Sequence, residues 1–202
     1  MVVCGTEQVS SGCIKITSDT GLAFFIRKEY LKIVKVEDIV PNAQFEGEAE
    51  VDLVNSGLIV AAESKAMDYL ARAEQSRFGL TRKLISKNFL KEHINIALDY
   101  LESVNYLSDV RYTRAWLNCR KISHFEGRMK LSAELASRGI AKGIIREELD
   151  LFFQENSEED FCRKAYEKCI RQGKSEEKII RTLIMYGFTH NMIKNVISEK
   201  ES

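Results

Sequence analysis

The spacing of apolar residues changes near residue 66 and divides the chain into two regions. In the first region, Cys13–Thr17 alternates apolar and polar side chains, a turn cluster ends at Gly21, and Leu22–Ile26 is apolar again. A strand, a glycine-containing turn and a second strand predict a β-hairpin. The first 62 residues are therefore expected to form a small β-containing module.

From residue 66 onward, apolar residues recur at intervals of three and four, which is the period of an amphipathic helix. Three segments share one five-point apolar pattern, and the copies are offset by 51 and then 48 residues. Helical stretches at 66–76, 108–122 and 158–172 precede them. Such self-similarity is typical of tandem repeats. The matching positions are Leu80, Leu84, Phe89, Ile94 and Leu98; Leu131, Leu135, Ile140, Ile145 and Leu149; and Ile179, Leu183, Phe188, Ile193 and Ile197.

Each copy contains a break between its second and third apolar positions. Asn88, Gly139 and Gly187 stand directly before the third position of the three copies. Asparagine and glycine tolerate the left-handed conformation that closes a helix, and the apolar residue that follows can pack back onto that helix. We therefore predict a helix end at each of these residues and a new helix shortly after it.

These patterns predict a mainly α protein. We expect an elongated, curved array of three tandem three-helix repeats, preceded by the β-containing module. Within that module, residues 28–40 fit either a short helix or another strand, and the mixed pattern of residues 48–62 assigns them to neither. The predicted divisions are 1–62 for the module and 63–107, 108–155 and 156–202 for the repeats.

The net charge of zero conceals a segregated distribution. Residues 1–60 carry 5 Lys and Arg against 9 Asp and Glu, residues 61–146 carry 16 against 9, and residues 147–202 carry 9 against 12. A basic middle between acidic flanks can attract a polyanion or an acidic protein face. Ordinary solvated helix surface would also give this pattern.

The basic residues of the first two repeats are the candidate binding residues, because guanidinium groups bind carboxylate or phosphate in a two-pronged manner. The alternative is that they form solvated surface or pair with acids of their own helices. The candidate set is Arg72, Arg77, Lys83, Lys87, Arg111, Arg114, Arg120, Lys121, Arg128, Lys130 and Arg138.

Other chemistry is sparse in this sequence. Tyr112 and Trp116 could stack on nucleic-acid bases, although their spacing favours packing between repeats. Cys162 and Cys169, seven residues apart on one predicted helix, are expected to be buried thiols. There is no zinc-ligand pair at metal spacing and no phosphate-binding loop, so we expect no metal, no cofactor and no enzymatic activity.

Three segments resemble the RecX family in order and with compatible spacing. They are Tyr69–Leu84 (YLARAEQSRFGLTRKL), Val104–Tyr112 (VNYLSDVRY) and Gly127–Ile140 (GRMKLSAELASRGI). The likeness covers about residues 64–198. The chain departs from the family pattern at Gln75, where the family usually has histidine, and at Gly79 and Asn105, where it has glutamate and glycine.

The resemblance implies that the chain regulates the RecA recombinase in recombination, DNA repair and the SOS response. RecX proteins bind RecA filaments on single-stranded DNA and suppress ATP hydrolysis, strand exchange and coprotease activity. The alternative is a helical protein that binds DNA directly, since short helices joined by glycine turns resemble helix-turn-helix units. Weak direct DNA binding is also compatible with the RecA role, and we expect a monomer.

The sequence also bears on location. No run approaches the roughly 18 apolar residues that a membrane span needs. Met1–Gly5 places no basic segment before an apolar run, so we expect no signal peptide. Five scattered cysteines do not form a disulfide framework, which favours the cytoplasm.

Overall fold

A computed structural model of the chain describes residues 1–10 and 12–201. Over those residues it is mainly helical with a three-stranded sheet at the N-terminus, as predicted. The chain forms two compact units. Unit 1 comprises Met1–Ala73 and Leu80–Leu107, and unit 2 comprises Glu74–Gly79 and Ser108–Ser202. The helices are α1 (Glu48–Leu70), α2 (Arg77–Ile85), α3 (Lys91–Ser103), α4 (Asp109–Ser123), α5 (Arg128–Ser137), α6 (Lys142–Glu155), α7 (Glu158–Arg171), α8 (Glu176–Met185) and α9 (His190–Glu201).

The sheet is an antiparallel meander in which β2 lies between β1 and β3. The strands are β1 (Val3–Ser10), β2 (Cys13–Ser18) and β3 (Ala23–Arg27). Strands β2 and β3 form the predicted hairpin, with Ile16 opposite Phe24. Strand β1 was not predicted from the sequence, because its long polar stretch shows little alternation. Its one fully buried apolar residue, Val3, joins the core of the sheet.

Residues 28–40, for which the sequence allowed a short helix or a strand, contain two short 3-10 turns. These are Lys28–Tyr30 and Val36–Asp38. The Asp52 carboxylate of α1 accepts hydrogen bonds from the backbone N–H groups of Lys32, Ile33 and Val34 at 2.8 to 3.1 Å. Burial acts to raise the pKa of Asp52, but these hydrogen bonds outweigh it and lower the pKa below its ordinary value.

Helix α1 begins earlier and ends earlier than the sequence indicated. The expected helix at 66–76 is the end of a 23-residue helix that begins at Glu48, and residues 71–76 lie outside it. The start was hidden because apolar side chains lie on opposite sides of α1, so its first half has no single apolar face. The predicted division between residues 62 and 63 falls inside this helix and remains a prediction.

The three copies of the apolar pattern occupy equivalent places. Each copy's first two positions lie on α2, α5 or α8, and its last two lie on α3, α6 or α9. All of these positions are buried except Phe89 and Ile197, which are half-buried. The residues before the third position are left-handed as predicted, with φ of 65° at Asn88, 78° at Gly139 and 85° at Gly187.

The helix ends at these three residues share one hydrogen-bond pattern. The N–H of Phe188 donates to the carbonyl of Leu183, and the N–H of Gly187 donates to that of Ile184. The same pairs recur at Asn88 and Gly139. They satisfy carbonyls at the end of the helix and allow the chain to reverse within a few residues.

Candidate interaction surface

The candidate basic residues of unit 1 lie at the ends of α1 and α2. Arg72 is exposed just after α1, and Lys87 is exposed in the turn after α2. For these two side chains the described residues provide no ion-pair partner. Lys83 is also exposed, and its ammonium lies 5.0 Å from the centre of the Tyr69 ring. Arg72 and Lys87 can therefore offer their full charge to a partner.

Three arginines of α4 contact acids of the same unit: Arg111, Arg114 and, described in the next paragraph, Arg120. The Nε and Nη2 atoms of Arg114 donate to the two carboxylate oxygens of Glu148, at 2.7 and 2.9 Å, and Glu148 is buried. This pairing raises the pKa of Arg114. Arg111 donates to Glu74 at 2.7 Å. These arginines therefore hold unit 2 together as well as facing solvent.

A network of five charged side chains joins α4, the loop after it and α5. Arg120 donates in two-pronged fashion to the buried Glu126 at 2.9 and 2.8 Å and to Glu134 at 3.1 Å. Glu134 also pairs with Lys130 at 3.5 Å and with Arg138 at 3.2 Å. Two acids thus neutralise much of the charge of three candidate residues.

Trp116 packs beside this network. Its ring is half-buried against the core of unit 2, and so is Tyr112. The guanidinium groups of Arg138 and Arg120 lie 4.8 and 5.3 Å from its ring centre. Cation–π contacts at this distance hold the indole within the fold. Tyr112 and Trp116 therefore pack against the core of unit 2, and packing between repeats stays a prediction.

A carboxylate accepts a hydrogen bond from the first residue of α2 and of α5. The backbone N–H of Arg77 donates to Asp109 of α4 at 2.9 Å, and that of Arg128 donates to Glu158 of α7 at 2.7 Å. Acidic groups at a helix N-terminus accept hydrogen bonds from free N–H groups, and their negative charge is stabilised by the positive end of the helix dipole. Each of these hydrogen bonds therefore joins the start of one helix to a later helix, α2 to α4 and α5 to α7.

The side chains of Arg128 and Lys121 differ in whether an acid pairs with them. Arg128 donates to Asp150 at 2.6 Å. Lys121, on α4, is exposed, and the described residues provide no ion-pair partner for it. Of the eleven candidates, Arg72, Lys87 and Lys121 are thus the ones that keep an uncompensated charge in the described part of the chain. The role of the whole set remains a prediction.

Sequence reasoning missed the acids that neutralise these arginines. Arg114 and Glu148 are 34 residues apart, and Arg111 and Glu74 are 37 apart, so no local pattern joins them. The pairs of Glu134 with Lys130 and Arg138 lie at a four-residue spacing, which was the signal available.

A buried polar cluster in unit 1 was also missed. Arg27 of β3 donates to both oxygens of Glu63 at 2.8 and 2.6 Å, and to the Tyr100 hydroxyl at 2.9 Å. The Tyr30 hydroxyl donates to Glu63 at 2.7 Å. Burial raises the pKa of Tyr30, and the neighbouring Glu63 carboxylate raises it further. The cluster ties the sheet to α1 and α3.

The cysteines follow the sequence interpretation. Cys162 and Cys169 are buried on α7, as predicted. Burial, with a smaller contribution from the charge of Glu158, raises the pKa of the Cys162 thiol to about 11. Among residues 1–10 and 12–201, no three His, Cys, Asp or Glu side chains are grouped to hold a metal ion. None of the helices described is both long and apolar enough to span a membrane.

Comparison with known proteins identifies the family. No protein-family model matches the chain. "Regulatory protein RecX" of Treponema pallidum strain Nichols is 33% identical over 137 residues, which cover 68% of this chain and 84% of that protein. The chain belongs to the RecX family. "Regulatory protein RecX" of Pseudomonas tolaasii is 32% identical over 71% of this chain and 94% of its own length.

Other RecX proteins extend the match towards the N-terminus. "Regulatory protein RecX" of Clostridium botulinum strain Alaska E43 is 26% identical over 195 residues, which cover 92% of this chain and 89% of that protein. A crystal structure of a regulatory protein RecX superposes with a TM-score of 0.74 at 19% identity, covering 96% of this chain and 98% of that chain. RecX from Lactobacillus salivarius gives 0.61 at 20% identity, over 70% and 96%. The fold of those structures is therefore shared.

Proposed function

We propose that this RecX protein binds RecA filaments on single-stranded DNA and lowers their ATP hydrolysis, strand exchange and coprotease activity. It acts in the cytoplasm, as a monomer, by binding alone and without catalysis. The observation that carries the proposal is the 33% identity to a regulatory protein RecX over 84% of that relative.

The charge arrangement favours a protein-covered filament over bare DNA. Five of the candidate arginines contact carboxylates of their own unit: Arg111, Arg114, Arg120, Arg128 and Arg138. A track for bare DNA gains its affinity from many cations that neutralise phosphates. Exposed charges as scattered as Arg72, Lys87 and Lys121 suit a few contacts to a protein surface.

The repeated helix groups suit a repeating partner. We propose that residues 63–107, 108–155 and 156–202 are three contact units. A filament presents identical protomers in series, so weak contacts made by linked units combine through their effective concentration. Tight binding then needs no deep pocket.

The test compares two probes with the full chain. Fluorescence anisotropy would measure binding to a labelled poly(dT) strand, bare or coated with RecA and a non-hydrolysable ATP analogue. We expect Kd for the filament to be at least about 30-fold lower, which corresponds to about 2 kcal/mol. Equal affinity for both probes, with a steep salt dependence, would instead support a direct DNA-binding protein.

A further inference from the structure

Helix α1 carries apolar side chains on two faces. One face is buried in unit 1 and includes Leu53 and Ile59. On another side Val51, Val54 and Leu58 are 58%, 44% and 43% exposed. Their spacing of three and four places them in one stripe. A helix that is apolar on several sides is expected to be covered on them.

Val54 and Leu58 of this stripe line a groove. The groove has a volume of about 560 Å³, and Leu22 and Phe24 of the sheet region lie across it from Val54 and Leu58. Gly57 also lines it, and the Phe24 ring packs so closely there that a side chain larger than hydrogen would collide with it. The groove runs along about 15 Å of α1, the length of three helical turns.

Acidic side chains lie in and near this α1 groove. Asp19 lines it, and Glu48 lies one turn before Val51 on the same side of α1. Both side chains are exposed, and the described residues offer neither of them an ion-pair partner. Glu50, which also lines the groove, is neutralised by the amino group of Met1 at 3.0 Å.

We propose that the α1 groove binds an amphipathic helix of the partner protein. The apolar side chains of that helix fill the groove, and its Lys or Arg side chains face Asp19 and Glu48. Apolar anchors at helical spacing give the affinity in this mode of recognition, and the charges set the orientation. The inference rests on the proposed function, because its partner is the RecA filament.

The first test reverses the character of the groove. The double variant Val54→Glu, Leu58→Glu is expected to raise Kd for the RecA-coated strand at least tenfold, because two buried carboxylates would face apolar anchors. The control variant Ile33→Glu, Val40→Glu adds the same charges at positions that are 57% and 51% exposed and lie outside both the groove and the three proposed contact units. It is expected to bind within twofold of the wild type. Circular dichroism checks that both variants keep their helices.

The second test changes only the rim. Asp19→Lys with Glu48→Lys is expected to raise Kd about fivefold at low salt and less at high salt, because exposed charges are screened. Glu37→Lys with Asp38→Lys makes the same charge change at exposed positions outside the groove and the three proposed contact units. This control is expected to bind as tightly as the wild type or more tightly.

The outcomes separate the two proposals. If the wild type binds the filament and the Val54→Glu, Leu58→Glu variant binds equally well, the groove proposal is wrong and the proposed function stands. If the wild type does not bind the filament, both fall. If light scattering finds a dimer of the wild type that this variant abolishes, the groove holds a second copy of the chain, and the partner-helix proposal is overturned.

Discussion

Arginines with the same predicted character differ in what they contact in the folded chain, and sequence alone does not separate them. From its place in the sequence, Arg114 is expected to be a surface cation on its helix. In the structure its guanidinium donates two hydrogen bonds to the buried Glu148. Arg72 has the same predicted character and contacts no acid in the described part of the chain. The difference depends on side chains brought together by folding. Charge reversals at paired arginines would therefore mix lost stability with lost binding.

Uncompensated cations give a cleaner test of the binding surface. Arg72→Glu with Lys87→Glu is expected to weaken binding to the RecA filament about tenfold, since two favourable exposed charges become repulsive, at roughly 0.7 kcal/mol each. Lys28→Glu with Lys35→Glu, at exposed positions outside the basic middle, serves as the control in the same anisotropy titration. Equal effects of the two variants would remove Arg72 and Lys87 from the predicted surface.

The Glu63 carboxylate makes a stability prediction of its own. Glu63→Ala removes the acceptor of both Arg27 and Tyr30 in a site where the Arg27 and Glu63 side chains are 12% and 9% exposed. Breaking a buried pair leaves an uncompensated charge, so the free energy of unfolding is expected to fall by about 3 kcal/mol. Urea unfolding followed by circular dichroism measures it. A loss below about 1 kcal/mol would mean that water replaces Glu63 without cost.

Whole elements were predictable to different degrees. The β2–β3 hairpin and the turns at Asn88, Gly139 and Gly187 could be read from local residue types, because strand alternation and left-handed turns depend on nearby residues. Strand β1 and the first half of α1 could not. Their places depend on pairing with β2 and on packing against the sheet, which are contacts between distant residues.

The turn at Gly187 supplies a test at this scale. Gly187→Ala is expected to lower the free energy of unfolding by about 2 kcal/mol or more, because φ is 85° and an added Cβ would collide with the backbone of Lys130. Gly143→Ala is the matched control. Nothing lies within 4 Å of the place where a Cβ at residue 143 would lie, and the residue belongs to α6. Gly143→Ala is therefore expected to raise the free energy of unfolding by about 0.5 to 1 kcal/mol. Urea midpoints that move in the same direction for both would contradict the account.

At the scale of the whole molecule, the chain consists of two compact units, each with a buried core. The mainly helical fold and the RecX family could be predicted from the sequence, because repeated apolar spacing and three short motifs carry them. The pairing of Arg114 and Arg111 with acids 34 and 37 residues away could not be predicted. That pairing redirects the site hypothesis from a continuous basic face towards a few exposed cations and an apolar groove on α1.

ATP hydrolysis by RecA on single-stranded DNA tests the central proposal most directly. The full chain would be added at about one copy per ten RecA protomers, and phosphate release followed over time. The account predicts that hydrolysis falls to less than half its rate, because one bound chain affects several protomers of a filament. An unchanged rate, even at equal concentrations of the two proteins, would contradict it.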